Sequence, residues 1–297
     1  MKPNIAGAGL AGLLAAHAWP QAEVFDPMPE PRAIHKALLR FRSKAVAQLI
    51  GIEFSEVTVR KAIWERGKFI APSIRAANHY SAKILGRIEG DRSIWNLDPV
   101  TRYIAPESLY EQLVESVGKR IYWGMGVEFA HLEAPLISTA PLPVVLEALR
   151  IANDIEFKRA PIHVARYRVP KCAVYQTVYF PDPELQVYRA SITGDLLIVE
   201  SMSEPDTLEW VHVLEPFGIY TLDKVEAKAE QRYGKIVPLP DSVRKPLLAH
   251  LTSQHRIFSL GRFATWRNIL LDDVVDDIAV VRRLLRASEY EHRLHFS

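Results

Sequence analysis

A glycine-rich turn near the start of the chain restricts the folds open to it more than any other feature. The turn, Gly7-Ala8-Gly9-Leu10-Ala11-Gly12, follows a short apolar pair at 5–6 and precedes the apolar, helix-favouring run 13–16. In such a turn the first glycine permits a tight bend, the second lets a pyrophosphate approach the backbone, and the third lets the helix lie against the strand. The free N–H groups at the start of the helix are additional donors for an anion. The pattern predicts a pyrophosphate-binding strand–turn–helix unit with the binding residues Gly7, Gly9, Leu10, Ala11 and Gly12.

An acidic residue follows at the position where a unit of this kind requires one. A second short strand candidate, residues 23–25, ends at Asp26. Asp26 lies about 20 residues after Gly7, which is the separation expected for an acid that hydrogen-bonds the ribose of a dinucleotide. The dipeptide Asp26-Pro27 is also typical of a simple turn. Together these features predict a Rossmann-like βαβ unit, which fits either NAD or FAD.

The composition excludes several classes of function. The 297 residues include 37 Lys and Arg and 35 Asp and Glu, and the net charge of +2 gives no argument for nucleic acid or an anionic membrane. The single cysteine, Cys172, permits no internal disulfide, and we expect a buried, inert thiol. Metal-binding HExxH, GxSxG and Walker-type phosphate motifs are all missing from the sequence, so we expect no metal site, serine hydrolase or P-loop NTPase. We find no signal peptide and no apolar stretch of membrane-spanning length, and we expect a cytoplasmic protein.

The C-terminal part of the chain returns to a strand, a glycine and a helix. A strand candidate at 255–260 is followed by Gly261-Arg262 and then by an amphipathic helix with Asp272 and Asp273 in its first turn. Together with the N-terminal glycine motif, this arrangement resembles the flavoprotein group that contains amine oxidases and UDP-galactopyranose mutases. The resemblance implies FAD as the cofactor. In that group the late Gly-Arg segment and the next helix approach the flavin ring, which implies Gly261, Arg262 and Asn268 as cofactor-binding residues here.

The order of the predicted elements indicates an α/β fold with two interleaved domains. Pro106 begins a predicted helix with an apolar face, and Gly118 ends that helix. The runs within 155–200 are typical of antiparallel strands joined by Pro and Gly turns. We therefore predict a Rossmann-like FAD-binding domain and an interleaved antiparallel-sheet substrate domain. The first consists of residues 1–50, 101–150 and 234–297, and the second of residues 51–100 and 151–233.

Three arginines are candidates for substrate binding. Residues 36–42 have the pattern of an extended segment, in which alternation would place Arg40 and Arg42 on one face. Two guanidinium groups on one face suit a phosphate or a carboxylate, although a solvated strand face or an ion pair also fits the pattern. The run Tyr188-Arg189 resembles the sheet that faces the substrate in the mutases, which adds Arg189 to the candidates. His35 is a candidate for flavin contact or proton transfer, with a simple surface histidine as the alternative.

Oxidation of an amine by a flavin suits a sequence without an obvious catalytic dyad, because a neutral amine in a dry site needs no dedicated acid or base. We therefore predict an FAD-dependent oxidoreductase of amine-oxidase type that cleaves a carbon–nitrogen bond of an amine or amino-acid-like small molecule. One alternative is an isomerase similar to UDP-galactopyranose mutase that acts on a nucleotide sugar. The other is a flavin-binding sensor without catalytic activity.

A basic segment leaves DNA open as a partner. Its Lys and Arg side chains could bind DNA phosphates while aromatic side chains stack on an extruded base, although a solvated surface explains the same pattern. The chain is also similar in overall style to bacteriophage flavoproteins that hypermodify thymine. That similarity implies a lyase acting on amino-acid-modified thymine in phage DNA. The sequence gives no indication of the oligomeric state. The basic residues of segment 60–92 are Lys61, Arg66, Lys68, Arg75, Lys83, Arg87 and Arg92.

Overall fold

The computed structural model of the protein describes residues 2–32, 39–88, 93–170, 172–204, 207–220 and 224–296. His35 and the first part of the predicted strand at 36–42 lie outside these residues. The strands are β1 (Asn4–Ala6), β2 (Val24–Asp26), β3 (Arg40–Phe41), β4 (Ser55–Glu65), β5 (Lys68–Ile70), β6 (Val100–Ile104), β7 (Ile121–Trp123), β8 (Leu136–Ser138), β9 (Arg159–Arg168), β10 (Tyr175–Tyr179), β11 (Val187–Thr193), β12 (Leu196–Ser201), β13 (Lys224–Ile236) and β14 (Ile257–Ser259). The α-helices are α1 (Leu10–Ala18), α2 (Ala45–Ile50), α3 (Ile74–Leu85), α4 (Leu109–Val117), α5 (Leu142–Ala148), α6 (Thr207–Leu214), α7 (Asp241–His255) and α8 (Leu271–Phe296). Short 3₁₀ turns occur at Ser93–Trp95, Gly118–Arg120 and Glu215–Phe217.

Within the described residues, five short strands form a parallel sheet in the order β7-β2-β1-β8-β14. Numbered along the chain, these strands have the order 3-2-1-4-5 of the dinucleotide-binding fold. The order reverses between β1 and β8, and ligands of such sheets bind beyond the carboxyl ends of the strands at this point. The predicted Rossmann-like unit is therefore confirmed, and the glycine turn lies at the expected end of the sheet.

Helices cover both faces of this parallel sheet. Successive strand residues point to opposite faces, so Ile5 and Ile137 pack in one cluster while Ala6 and Leu136 pack in another. The first cluster is completed by α1, α2, α4 and α8, and the second by α5 and α7. Burial of both faces explains why the strands carry almost uninterrupted apolar sequence.

The second sheet has the order β13-β9-β12-β11-β10-β4-β6-β3, with β5 paired to β4. Among the described residues its strand pairs are antiparallel, as predicted, except for β10 and β4, which run parallel. Helix α3 packs on one face and α6 on the other. Strands β3 and β6 belong to this sheet, although most of their residues fall in the ranges predicted for the FAD-binding domain. The division into two domains stays a prediction.

None of the described helices combines the length and the apolar character that crossing a membrane requires. The longest is α8, and acidic residues occupy its first turn.

Candidate functional site

Two glycines of the turn have no room for a side chain. Gly7 has a φ of +98°, and a Cβ on it would lie 2.4 Å from Oγ1 of Thr139. A Cβ on Gly12 would lie 1.8 Å from the carbonyl oxygen of Gly7. Thr139 directly follows β8, so the glycine turn packs against the end of β8 at the point where the strand order reverses.

Gly9, by contrast, faces open space. It occupies the N-cap position of α1 with a φ of −72°, and no side chain caps the helix. A Cβ on Gly9 would have no described atom within 4 Å. The N–H groups of Leu10, Ala11 and Gly12 belong to the first turn, where an α-helix supplies no acceptors of its own. The turn therefore presents donors and a positive helix end to any anion beside Gly9.

The carboxylate of Asp26 helps to shape this turn. It accepts hydrogen bonds from the backbone N–H of Ala8 at 2.6 Å and of Met28 at 2.9 Å. Each carboxylate oxygen retains a lone pair for a further donor. Asp26 is half-buried at the end of β2, so a ribose hydroxyl at this position has an available acceptor. Its role in ribose binding stays a prediction.

The C-terminal Gly261-Arg262 segment lies against the glycine turn. Gly261 has a φ of +89°, and a Cβ on it would lie 3.0 Å from the Cβ of Ala11. The guanidinium of Arg262 donates to the carbonyl oxygen of Gly234 on β13 at 3.3 Å and lies 5.6 Å from the ring centre of Phe263. Burial lowers the pKa of Arg262. Among the described residues, its buried Nε has no hydrogen-bond partner. The structure thus brings the glycine turn and the Gly261-Arg262 segment together beside a partly buried cation.

Asn268 and the acids that follow it lie further along the same segment. Asn268 is exposed, and α8 begins three residues later. The carboxylate of Asp272 accepts from the backbone N–H groups of Arg42 at 3.0 Å and Ser43 at 3.1 Å. Asp273 accepts from the N–H of Leu270 at 2.8 Å, as an acid at a helix start commonly does. The carboxylate of Asp272 therefore joins the start of α8 to the segment after β3, and that of Asp273 caps the start of α8.

Arg40 and Arg42 do not share a face, which corrects the expectation from strand alternation. The strand β3 consists of Arg40 and Phe41 alone, and beyond it the chain turns towards α8. Arg42 is ion-paired with Asp273 and lies 3.7 Å from a carboxylate oxygen of Asp272, with 45% of its side chain exposed. Alternation requires a continuous strand, and here the strand ends between the two arginines.

Arg40 reaches the middle of the second sheet instead. Its Nε donates to Oγ1 of Thr193 at 3.0 Å, and a terminal nitrogen donates to Oγ1 of Thr177 at 2.8 Å. A longer contact of 3.4 Å runs to the carbonyl oxygen of Ile192. Burial, followed by the charge of nearby Arg189, lowers the pKa of Arg40 to about 10. Within the described part of the chain, all the hydrogen-bond partners of this guanidinium are neutral.

Arg189 is close to Arg40 but is paired. Its guanidinium binds both carboxylate oxygens of Glu200, one of them at 2.7 Å. The hydroxyl of Tyr188 donates to the same carboxylate at 3.2 Å. Burial would raise the pKa of Glu200, but the charge and hydrogen bonds of Arg189, together with Lys235 and Tyr188, outweigh it and lower that pKa to about 2. The side chain of Arg189 is still 37% exposed, so a small molecule can reach its free edge.

Sequence reasoning missed the hydroxyl groups around Arg40. Ser191 lies beside Thr177, with 3.1 Å between their hydroxyl oxygens, and Thr193 follows on the same strand. The alternation of Arg189, Ser191 and Thr193 along β11 would have indicated one polar face. Only the pairing of β11 with β10 shows that Thr177 lies there too.

Several cations of the basic segment 60–92 contact other parts of the protein. Lys61 donates to the carbonyl oxygen of Asn96 at 2.5 Å, and Arg75 is ion-paired with the buried Glu65. Lys83 donates to the carbonyl oxygens of Phe180 at 2.7 Å and Val187 at 3.0 Å. Arg92 lies outside the described residues. Lys61, Arg75 and Lys83 are therefore engaged by the protein itself, and binding of DNA by this segment stays a prediction.

The thiol of Cys172 is half-buried, not buried as expected, and donates to the carbonyl oxygen of Gly194 at 3.0 Å. In the ranges that the structure describes, no group of three or more His, Cys, Asp and Glu side chains is arranged to hold a metal ion.

Comparison with solved structures identifies the fold. No family model and no curated protein matches the chain, but many solved structures do. Reduced UDP-galactopyranose mutase matches with a TM-score of 0.65 and 13% identity, over 95% of this chain and 96% of the mutase chain. An oxidoreductase from Methanosarcina mazei matches with a TM-score of 0.59 and 12% identity, over 95% of this chain and all of the other. A protein from Photorhabdus luminescens described as an FAD-containing monooxygenase matches with a TM-score of 0.54 and 11% identity, over 97% and 89%.

The chain has the Rossmann-like fold of FAD-binding flavoproteins. At 11–13% identity these matches show the fold alone. The predicted α/β class is thereby confirmed.

Proposed function

We propose that this protein is an FAD-dependent oxidoreductase that acts on a carbon–nitrogen bond of a small substrate with an anionic group. The observation that carries the substrate part of the proposal is Arg40, a cation in the second sheet whose described partners are all neutral. A charge removed from water is costly unless an opposite charge compensates it. An anionic substrate group beside Arg40 would supply compensation beyond that from the nearby charge of Glu200.

The residues of the glycine turn fit the pyrophosphate of FAD. The open space at Gly9 and the first-turn N–H groups of α1, which the helix itself leaves without acceptors, suit a doubly charged group, while Gly7 and Gly12 exclude side chains that would fill the turn. Asp26 would accept a ribose hydroxyl. A carboxylate here would repel the 2′-phosphate of NADP. We assign Gly7, Gly9, Leu10, Ala11, Gly12 and Asp26 to this half of the cofactor.

Gly261, Arg262 and Asn268 are the proposed contacts towards the other half. The Nε of Arg262 is buried and has no hydrogen-bond partner among the described residues, so no protein acceptor offsets the cost of burying this part of the guanidinium. Gly261 keeps this segment in contact with α1, so a cofactor bound at the glycine turn would lie close to Arg262. When bound, FAD would supply the oxidant that takes a hydride from the carbon bearing the amine nitrogen.

The protein's own residues would bind and orient the substrate. Arg40 would hold the anionic group, with the hydroxyls of Thr177 and Thr193 fixing the plane of the guanidinium. Arg189 would add its free edge on the same side. Glu200, with a pKa of about 2, is too weak a base to remove a proton from an ammonium group at neutral pH. The proposal therefore requires a substrate amine that enters neutral.

A mutase-like isomerase is the second candidate. The fold match with reduced UDP-galactopyranose mutase extends over nearly the whole length of both chains. The proximity of two arginines, Arg40 and Arg189, also suits the diphosphate of a nucleotide sugar. A lyase acting on modified thymine in phage DNA and a non-catalytic sensor are outcomes that the same experiment distinguishes.

The experiment begins with the absorption spectrum of the purified protein and mass spectrometry of the released cofactor. Anaerobic reduction of the flavin by amino acids, by other amines and by DNA carrying amino-acid-modified thymine is then followed. Reduction by an amino-acid-like amine, lost in Arg40→Ala with full flavin content, supports the proposal. Reduction by modified DNA, weakening steeply with salt, selects the phage-type lyase.

Two other outcomes contradict amine oxidation. Rearrangement of a nucleotide sugar only after chemical reduction of the flavin selects the mutase. Tight flavin binding without turnover of any of these compounds selects the sensor. A colourless protein that binds only a nicotinamide nucleotide contradicts the cofactor itself.

A further inference from the structure

We propose that Glu200 sets the charge selectivity of the anion site at Arg40, favouring a substrate group with one negative charge, such as a carboxylate, over a dianion. The proposal rests on the proposed function, because it assumes that Arg40 binds the anionic part of the substrate. It adds a specificity role for a residue that itself binds no substrate.

An irregularity in β11 makes this role structurally specific. The register between β11 and β12 shifts between Val187 and Arg189, so that Tyr188 is an extra residue in the strand. In a regular strand Tyr188 and Arg189 would point to opposite faces. The bulge instead lets both reach the carboxylate of Glu200. Bulges redirect side chains in this way and are frequent beside active sites.

The carboxylate of Glu200 is the main counterweight to positive charge at this position. The positive charge of Arg189 disfavours the charged form of Arg40, whereas the negative charge of Glu200 favours it. The charge of Arg102 has a smaller effect on Arg40 than that of Arg189, and Arg102 donates to the carbonyl oxygen of Thr101 at 2.7 Å. Thr177, Ser191 and Thr193, which surround Arg40, carry no charge.

Loss of the Glu200 charge would leave Arg189 uncompensated beside Arg40. Coulomb attraction to an added positive charge is twice as large for a dianion as for a monoanion at the same place. Lys235 lies 4.7 Å from the ring centre of Tyr188 and also acts on Glu200, so its charge would add to the same imbalance. Glu200 therefore restrains the affinity for dianions more than the affinity for monoanions.

The test uses propionate and sulfate as probes on flavin-saturated protein. Thermal unfolding is measured with each anion and with chloride at equal ionic strength, and the part of each shift that Arg40→Ala abolishes gives the affinity at this site. The ratio of the sulfate to the propionate affinity is the quantity of interest, because general destabilisation of the fold leaves it unchanged.

Four variants test the role of the charge. Glu200→Gln should raise the sulfate-to-propionate ratio about tenfold, and Arg189→Gln should lower it. The double variant Arg189→Gln/Glu200→Gln restores the net charge and should return the ratio towards that of the wild type. Glu200→Asp keeps the carboxylate and should keep the ratio.

Several results would overturn the proposal. An unchanged ratio in Glu200→Gln, or a double variant that behaves like that single variant, would show that the charge of Glu200 has no such role. If the single variants do not fold, the wild-type protein still tests the proposal. A preference for sulfate over propionate that depends on Arg40 would contradict it. Shifts that do not depend on Arg40 in the wild type contradict the anion site of the proposed function instead.

Discussion

The glycine turn and the cluster around Arg40 are both candidate anion-binding regions, yet they are constructed in opposite ways. The turn offers backbone N–H groups from consecutive residues at the start of α1. The Arg40 cluster combines side chains from β3, β10 and β11, and Arg40 is 153 residues from Thr193 along the chain. The first region depends on the absence of side chains, and the second on their charge and register.

This difference predicts different responses to substitution. A Cβ added in the turn changes the space that the fold or the cofactor needs, and the effect is close to all-or-none. A charge removed from the Arg40 cluster changes a binding energy by a limited amount. The following predictions test the contrast, beginning with the largest effect.

Gly12→Ala should destabilise the fold by about 3 kcal/mol or more, because its Cβ would lie 1.8 Å from the backbone oxygen of Gly7. Backbone atoms cannot rotate out of the way as a flexible side chain can. Urea unfolding of the cofactor-free protein measures the loss. The matched control is Gly126→Ala, where a Cβ meets no described atom within 4 Å and the stability should change by less than about 1 kcal/mol. Equal stability of the two variants would contradict the packing argument.

Gly9→Val should leave the protein folded but weaken FAD binding at least about a hundredfold, a loss of about 3 kcal/mol. The reason is that Gly9 faces open space in the protein, where the proposed pyrophosphate would lie. The measurement is flavin fluorescence on titration of the cofactor-free variant, with circular dichroism as the check on folding. A less suitable helix cap costs about 1 kcal/mol of stability at most. Full flavin occupancy in a folded variant would make the turn purely structural.

Arg40→Ala should weaken binding of an anionic ligand by about 1.5–3 kcal/mol, which is roughly tenfold or more. Arg42→Ala is the matched control, because that arginine is exposed and paired with Asp273. Its loss should change stability by about 1 kcal/mol or less and leave anion affinity unchanged. Calorimetric titration with propionate compares the two. An equal effect of both variants would mean that the anion binds elsewhere.

The smallest expected effect concerns Lys83, a further cation that contacts the second sheet through the carbonyl oxygen of Val187. Burial lowers the pKa of Lys83 to about 8, although Asp182 and Glu209 oppose the shift. Between this value and the ordinary lysine pKa of about 10.4 the unfolded chain binds more protons than the fold, so the unfolding free energy should rise with pH in that window. The expected rise is about 1 kcal/mol, since the side chain is partly exposed and solvent screens it. Unfolding of Lys83→Met across the same pH range should show a smaller rise, and an identical rise would assign it to other groups.

The sequence alone was sufficient for the first strand–turn–helix–strand unit and its glycine turn. The apolar strands, the spacing of Gly7, Gly9 and Gly12 and the position of Asp26 all lie within the first 26 residues. Interactions in a βαβ unit are local, so their pattern is preserved in the order of residues. The helix after Pro106 and the return at 255–262 could be predicted for the same reason.

The Arg40 cluster could not be predicted from the sequence in this way. Alternation indicated that Arg40 and Arg42 share a face, but β3 ends at Phe41 and Arg42 pairs with the first turn of α8. The parallel pairing of β10 with β4 and the extra residue at Tyr188 are properties of strand register. Register depends on how distant strands meet, and a shift by one residue moves a side chain to the other face. The sequence therefore determined where a pyrophosphate could bind. Only the tertiary structure decided which arginine lies beside neutral partners, because the surroundings of an arginine depend on contacts between residues far apart in the chain.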